Sequence, residues 1–258
     1  MRVIILAGGL GTRISEETED KPKPMVLVGE NPILWHLMNI FSFQGFTEFV
    51  LALGYRGSVV KRWLSDLTTL DGDILFDLEK KKLKNISAND SSLWKVTTLD
   101  TGPLTQTGGR ILRCMNAFPG ERVLVTYGDG LANINIKKLI MFHEAHGKMA
   151  TVTAVKPPVR FGHMKIMDKE VVNFGEKNNL DAEWINGGFF ILEPNVTNYI
   201  KGDNDSFEFD VLPKLVQERE LMAFSHDGFW KPMDTLKEQR ELNLLAGQKN
   251  PPWLEDIR

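Results

Sequence analysis

Residues 3–7, Val-Ile-Ile-Leu-Ala, form an unbroken apolar run closed by Gly8 and Gly9, the pattern of a strand buried on both faces of a parallel sheet. The period then changes. Asn31 stands ahead of Pro32, a capping residue before a proline at the first helical position, and Ile33, Leu37, Ile40 and Phe41 recur at helical spacing until Gly45. Residues 48–53 return to a strand pattern, and residues 59–67 set Val60, Trp63, Leu64 and Leu67 on one helical face. The first third of the chain thus alternates β and α.

The same reading continues downstream. Residues 74–78 suit a third short strand, and residues 80–92 are polar and lysine-rich, as an exposed excursion would be. Residues 94–99 alternate large and polar side chains like an edge strand or ribbon. A helix is expected over 108–118 with Ile111, Leu112 and Met115 on one side, then a strongly apolar strand over 122–127 that runs into Gly128-Asp129-Gly130. Helices follow at 135–146, 207–220 and 235–245. Between them lie β segments at 149–155 and 184–192, and two short strands around Asp168-Lys169 within 162–174.

This alternation predicts an α/β fold: a Rossmann-like open, mostly parallel mixed sheet flanked by helices. The β segments beyond residue 149 are expected to build a smaller lid over the crevice and bind a second substrate there. In such sheets ligands sit beyond the carboxyl ends of the strands. The loop at residues 8–13 and Asp129 both fall at such ends.

Bulk properties narrow the choice of partner. With 258 residues, 42% hydrophobic and 25% charged, the chain suits one packed domain. A formal net charge of −3 argues against nucleic acid and anionic membrane, each of which calls for a basic face. No apolar run approaches the roughly 20 residues of a membrane span, and the apolar start is too short before Gly8 for a signal peptide. Cys114 is the only cysteine, so neither an intrachain disulfide nor a multi-cysteine metal site is available, and the cytoplasm is the expected compartment.

Two short motifs carry the chemistry. Leu6, Ala7, Gly8, Gly9, Leu10, Gly11, Thr12 and Arg13 make a strand, a glycine turn and a cation. Glycines let backbone N–H groups approach an anion closely. A dinucleotide fingerprint would need a small residue where Ile14 stands, and a P-loop would need Gly-Lys-Ser/Thr, so both are excluded. In Lys21-Pro22-Lys23-Pro24-Met25 two prolines stiffen the chain around a lysine. Taken singly, the first motif also reads as a tight turn and the second as a surface turn. Together they supply amide donors, a guanidinium and an ammonium for a triphosphate. Asp129 and Asp234, each bland alone as a turn residue or helix-cap neighbour, would make a two-carboxylate site for Mg²⁺ if the fold joins them.

These motifs resemble the nucleotidyltransferases that activate sugar 1-phosphates, whose signature matches Gly8 to Arg13 and Lys21 to Met25. The resemblance is closest to the cytidylyltransferase branch and runs through Asp100-Thr101-Gly102, Thr107-Gly108-Gly109-Arg110, Thr126 to Gly130, Asn186 to Phe190, and Gly228 to Thr235. It implies a CTP-binding half at residues 1–148 and a sugar-phosphate and C-terminal half at 149–258 of one domain. The product would be CDP-glucose, with pyrophosphate released. The implied nucleotide contacts are residues 6–13, Lys23, Thr105, Thr107, Gly108, Arg110 and Gly128. Arg110, Glu176, Lys177, Asn186 and Gly187 would serve the sugar phosphate, Asp129 and Asp234 the metal, and Arg13, Lys23, Asp129, Lys177 and Asp234 the catalysis. Homo-oligomers, hexameric in this branch, are implied as well. Two positions depart from the family pattern, Asn178 in place of a proline and Val159 in place of a glycine, both in the acceptor half. Transfer from dTTP or UTP, another sugar 1-phosphate, and a silent nucleotide sensor remain open on the sequence.

Overall fold

Seven strands make one sheet in the computed structural model, which describes residues 1–9, 11, 14–69, 74–85, 94–157, 163–167, 170–175, 183–255 and 257. They are β1 (Val3–Ala7), β2 (Glu48–Leu53), β3 (Lys95–Asp100), β4 (Val123–Tyr127), β5 (Ala150–Val155), β6 (Ile185–Leu192) and β7 (Leu221–His226), in the order β7-β5-β6-β4-β1-β2-β3. β1 pairs in parallel with β2 and β4, β2 with β3, and β5 with β7. β6 runs antiparallel to both of its neighbours. The ends of β1, β2 and β4 therefore share one edge of the sheet with the start of β6.

Alternation along β1 explains why helices cover both faces. Val3, Ile5 and Ala7 pack with Leu34, Leu37 and Phe41 of α1 (Ile33–Ser42), while Ile4 and Leu6 pack with Ile111 and Cys114 of α3 (Thr107–Ala117). α2 (Gly57–Thr69) and α4 (Ile136–His146) complete the crossovers in the first half of the chain, and α5 (Leu212–Gln217) and α6 (Leu236–Ala246) follow. Each core side chain of this size contributes roughly 1.5–3 kcal/mol on burial. Every residue of β1 is buried, so the strand that feeds the glycine loop is held from both sides.

Several elements differ from expectation for identifiable reasons. Asn31 and Pro32 do not open α1; they pair with Leu27 and Val28 in a two-residue ribbon, where Pro32 keeps an extended ψ of 148°. The strand at Ile74–Asp77 pairs with Lys82–Asn85 in a separate hairpin, so the lysine-rich excursion is in part β structure; residues 86–93 lie outside the described residues. The helix expected over 207–220 begins as a π turn, Phe207–Val211. Pro213 lacks an N–H and crowds the carbonyl one turn back, which opens the preceding turn. The lid is smaller than expected: β5, β6 and β7 join the main sheet, and among the described residues beyond 149 the strands outside it are the hairpin of His163–Met167 with Glu170–Gly175 and the short strand Trp230–Pro232.

One small element went unread in the sequence and positions the site. Gly130–Ala132 pairs antiparallel with Trp230–Pro232 in the register Gly130 to Pro232, and Met233 N donates to Asp129 O at 2.8 Å. Asp129 lies just before one strand of this ribbon and Asp234 just after the other. Antiparallel pairing brings the two together although 105 positions separate them in sequence.

Candidate active site

Beyond the ends of β1, β2 and β4 lies a cavity of about 480 Å³, lined by Leu6 to Gly9, Gly11, Lys23, Thr105, Thr107, Arg110, Tyr127, Gly128, Asp129 and Asp234. Its floor is the glycine loop. A Cβ on Gly9 would meet nothing within 4 Å, so its backbone is open to the cavity. Gly8 differs: a Cβ there would lie 2.0 Å from Arg110 Nη1. The absent side chain of Gly8 makes room for an arginine, while that of Gly9 leaves space for a ligand.

Arg110 is 4% exposed. Its guanidinium donates to Gly8 O at 3.0 Å, Leu53 O at 3.3 Å and Thr101 Oγ1 at 2.5 Å. Burial pulls its pKa below the ordinary arginine value. The cation thus braces two strand ends from beneath the loop and adds positive potential where a phosphate tail would lie. It lines the first cavity and not the second.

Lys23 stands between the two aspartates. Pro22 and Pro24 flank it in a short 3₁₀ turn, Lys23–Met25, that holds it almost fully buried. Its ammonium donates to Asp129 Oδ2 at 2.7 Å and to Asp234 Oδ1 at 2.6 Å. Burial opposes the charge on Lys23, yet attraction to Asp129 and Asp234 outweighs it and raises the pKa. Two carboxylates aimed at one cation are a hard oxygen donor pair of the kind Mg²⁺ takes, with phosphate oxygens completing its shell. Among the described residues no cluster of three or more His, Cys, Asp or Glu is able to hold a metal ion. The carboxylate pair fits a magnesium ion held jointly with a nucleotide's phosphates.

A second cavity of about 390 Å³ opens at the start of β6, lined by Asn186 to Phe189, Ile185, Trp230 and Pro157. Tyr127, Asp129 and Asp234 line both cavities. Gly188 has φ +80°, and a Cβ there would strike the Tyr127 ring at 2.6 Å, so glycine is needed at this point both for the backbone and for the ring. Trp230 Nε1 donates to Gly187 O at 2.8 Å and ties the ribbon to β6. Two compartments meeting at an acid pair and an ammonium are suited to joining two anionic substrates.

The profile of the family described as Nucleotidyl transferase matches residues 2–243. The chain belongs to this family. It is 44% identical to the glucose-1-phosphate cytidylyltransferase of Salmonella typhi over 98% of each chain. It is also 30% identical to the mannose-1-phosphate guanylyltransferase catalytic subunit beta of Drosophila melanogaster, over 92% of this chain and 60% of that one. The crystal structure of HddC from Yersinia pseudotuberculosis shares the architecture with a TM-score of 0.68 at 25% identity, covering 94% of this chain and 98% of that one.

For this nucleotidyltransferase, the residues expected from sequence are distributed as follows. Leu6, Ala7, Gly8, Gly9, Gly11, Lys23, Thr105, Thr107, Arg110 and Gly128 line the first cavity together with Asp129 and Asp234. Asn186 and Gly187 line the second. Gly108 lies behind the wall, where a Cβ would meet Asp205 O at 2.6 Å; it is a packing glycine. Leu10, Thr12, Arg13, Glu176, Lys177, Asn178 and Val159 lie outside the described residues. The sequence assigned no role to Tyr127, Trp230 or Glu208; the first two lie inside the motifs Thr126 to Gly130 and Gly228 to Thr235, and the last carries no motif at all. No helix among the described residues is long and apolar enough to cross a membrane.

Proposed function

We propose that this nucleotidyltransferase transfers a cytidylyl group from CTP to α-D-glucose 1-phosphate, giving CDP-glucose and pyrophosphate. The observation that carries the reading is the pair of cavities sharing Asp129, Asp234 and Tyr127, with Lys23 held between the two acids. The full-length similarity to the Salmonella typhi cytidylyltransferase favours CTP and glucose 1-phosphate as the pair.

A phosphate oxygen of the sugar, already ionised at neutral pH, attacks the α-phosphorus in line, and the bond to the β-phosphate oxygen breaks. No general base is required; alignment and charge neutralisation are. The amides of the open glycine loop and Arg13 hold the departing pyrophosphate, and Arg110 stiffens that loop from below. Lys23 offsets charge at the α-phosphate. Asp129 and Asp234 hold Mg²⁺, which when bound supplies Lewis-acid polarisation of phosphate oxygens. Lys177, Glu176, Asn186 and Gly187 orient the sugar phosphate. Residues 1–148 contribute most of the nucleotide side and residues 149–258 most of the acceptor side of one domain. The protein acts in the cytoplasm as a homo-oligomer, hexameric on the family pattern, which light scattering tests directly.

The decisive experiment is a pyrophosphate-release screen crossing CTP, UTP, dTTP, ATP and GTP with several sugar 1-phosphates. The expected optimum is CTP with glucose 1-phosphate. Turnover with a different pair would keep the chemistry and replace the substrates; nucleotide binding without turnover for every pair would replace the enzyme by a sensor.

A further inference from the structure

A hydrogen-bonded chain with one self-consistent direction joins the two cavities. Asn186 Nδ2 donates to the Tyr127 hydroxyl oxygen at 3.2 Å, and the Tyr127 hydroxyl donates to Glu208 Oε1. The hydroxyls of Thr107 and Ser206 donate to Glu208 Oε2 at 2.6 and 2.9 Å. Thr107 Oγ1 accepts in turn from Phe207 N at 2.9 Å. The Asn186 amide has no freedom to flip, because its Oδ1 already accepts from Gly188 N at 2.8 Å, and reversal would set two donors face to face.

The ends of this chain lie in different compartments. Thr107 lines the nucleotide cavity, Asn186 lines the acceptor cavity, and Tyr127 lines both. Glu208 lines neither. It sits on the π turn Phe207–Val211, whose two end residues, Phe207 and Val211, anchor in the core. Three hydroxyl donors converge on its carboxylate, an arrangement that an anionic, acceptor-only group satisfies and that an amide would frustrate.

We propose that Glu208 is a positioning residue for nucleotidyl transfer: through Tyr127 it sets the Asn186 amide toward the acceptor, and through Thr107 it sets the rim of the nucleotide cavity. One carboxylate outside both compartments then orients the walls of each. This rests on the transfer reaction proposed above, but on neither the base nor the sugar.

The test uses steady-state kinetics of the full chain with whichever substrate pair the screen selects, so a wrong substrate pair is exposed by the screen before this question is asked. Tyr127→Phe keeps the ring and removes only the hydroxyl; its KM for the sugar phosphate should rise about tenfold, the cost of one charge-assisted hydrogen bond, while KM for the nucleotide stays within about twofold. Glu208→Ala should raise both. The double variant should bind the acceptor no more weakly than Glu208→Ala alone, because both changes cut the same chain. Should Glu208→Ala fail to fold, the split in Tyr127→Phe still decides. An unchanged acceptor KM in Tyr127→Phe, or an equal rise in both KM values, overturns the proposal.

Discussion

Replacing Gly8 or Gly9 by alanine separates two reasons for having glycine in a phosphate loop. Neither residue has a positive φ, so alanine is conformationally allowed at both and only space differs. At position 8 the new methyl would sit 2.0 Å from Arg110 Nη1 and 2.4 Å from its Cζ. The guanidinium has to leave, because Gly54 closes the other side, where a Cβ would meet the same nitrogen at 2.5 Å. Leaving forfeits the bonds to Gly8 O and Thr101 Oγ1. A hydrogen bond to a charged group is worth about 1.5–3 kcal/mol net, and overpacking adds about 1–3 kcal/mol. Partial rehydration of the displaced cation through the cavity offsets part of this sum, which leaves about 3–5 kcal/mol. For a chain of this size that lowers the melting temperature by about 10 °C. At position 9 the methyl meets nothing, so stability should change by less than about 0.5 kcal/mol, while the methyl stands where a phosphate would approach the amides. Gly9→Ala should therefore weaken nucleotide binding about tenfold or more.

A thermal unfolding scan and a nucleotide titration of each variant read both effects. The double variant Gly8→Ala with Arg110→Ala provides the sharper check. Once the guanidinium is gone, the methyl at position 8 keeps only the tight contact with Gly54 N at 3.0 Å, so the double variant should be more stable than the sum of the single losses by about 2 kcal/mol. Additive losses, or a Gly8→Ala protein that melts with the wild type, would refute the claim that this glycine exists for Arg110.

Three further outcomes are expected. Asp129→Asn should fold normally, lose about a hundredfold or more of turnover, and lose its dependence on added Mg²⁺; near-normal pyrophosphate release would remove Asp129 from the metal site. Lys177→Ala should raise KM for the sugar phosphate more than for CTP, as initial-rate kinetics would show, and an equal effect on both would deny it the acceptor role. Stability should fall in mild acid. His143 and His146 share the Thr151 hydroxyl at 2.8 and 2.7 Å, His143 Nε2 meets Glu193 at 3.1 Å, and Lys148 N donates to His146 Nδ1 at 2.9 Å. That chain has a hydrogen-bonded solution with both rings neutral, and burial lowers both pKa values below 6.5. The unfolded chain then binds more protons than the folded one, so this stabilisation is complete above about pH 6.5 and is lost as pH falls below it. A melting temperature that is flat from neutral pH into that range would contradict it.

What was legible in the sequence follows from how local each signal is. The strands β1, β2 and β4 announce themselves because both faces are buried and the apolar runs are unbroken, and the glycine loop is fixed by residues adjacent in the chain. Lys23 was legible for the same reason, since the prolines that aim it are its neighbours. The lid was misjudged because β5 and β6 carry the same half-apolar pattern whether they cover a sheet or extend it, and only pairing decides. The ribbon that joins Asp129 to Asp234 is three residues a side, too short for any period to register. Glu208 shows the limit most clearly. Its position depends on Pro213 opening a turn, its hydrogen bonds come from Thr107 and Tyr127, 101 and 81 positions upstream, and nothing in Ser206-Phe207-Glu208 distinguishes it from a surface acid. Residues that touch substrate tend to sit in motifs because the ligand imposes their spacing, whereas a residue that only orients others is constrained by tertiary geometry alone. Glu208, which joins Thr107 to Tyr127 and Asn186, is therefore the part of this site that mutagenesis guided by motifs would pass over, and the KM split in Tyr127→Phe is where its contribution would first be seen.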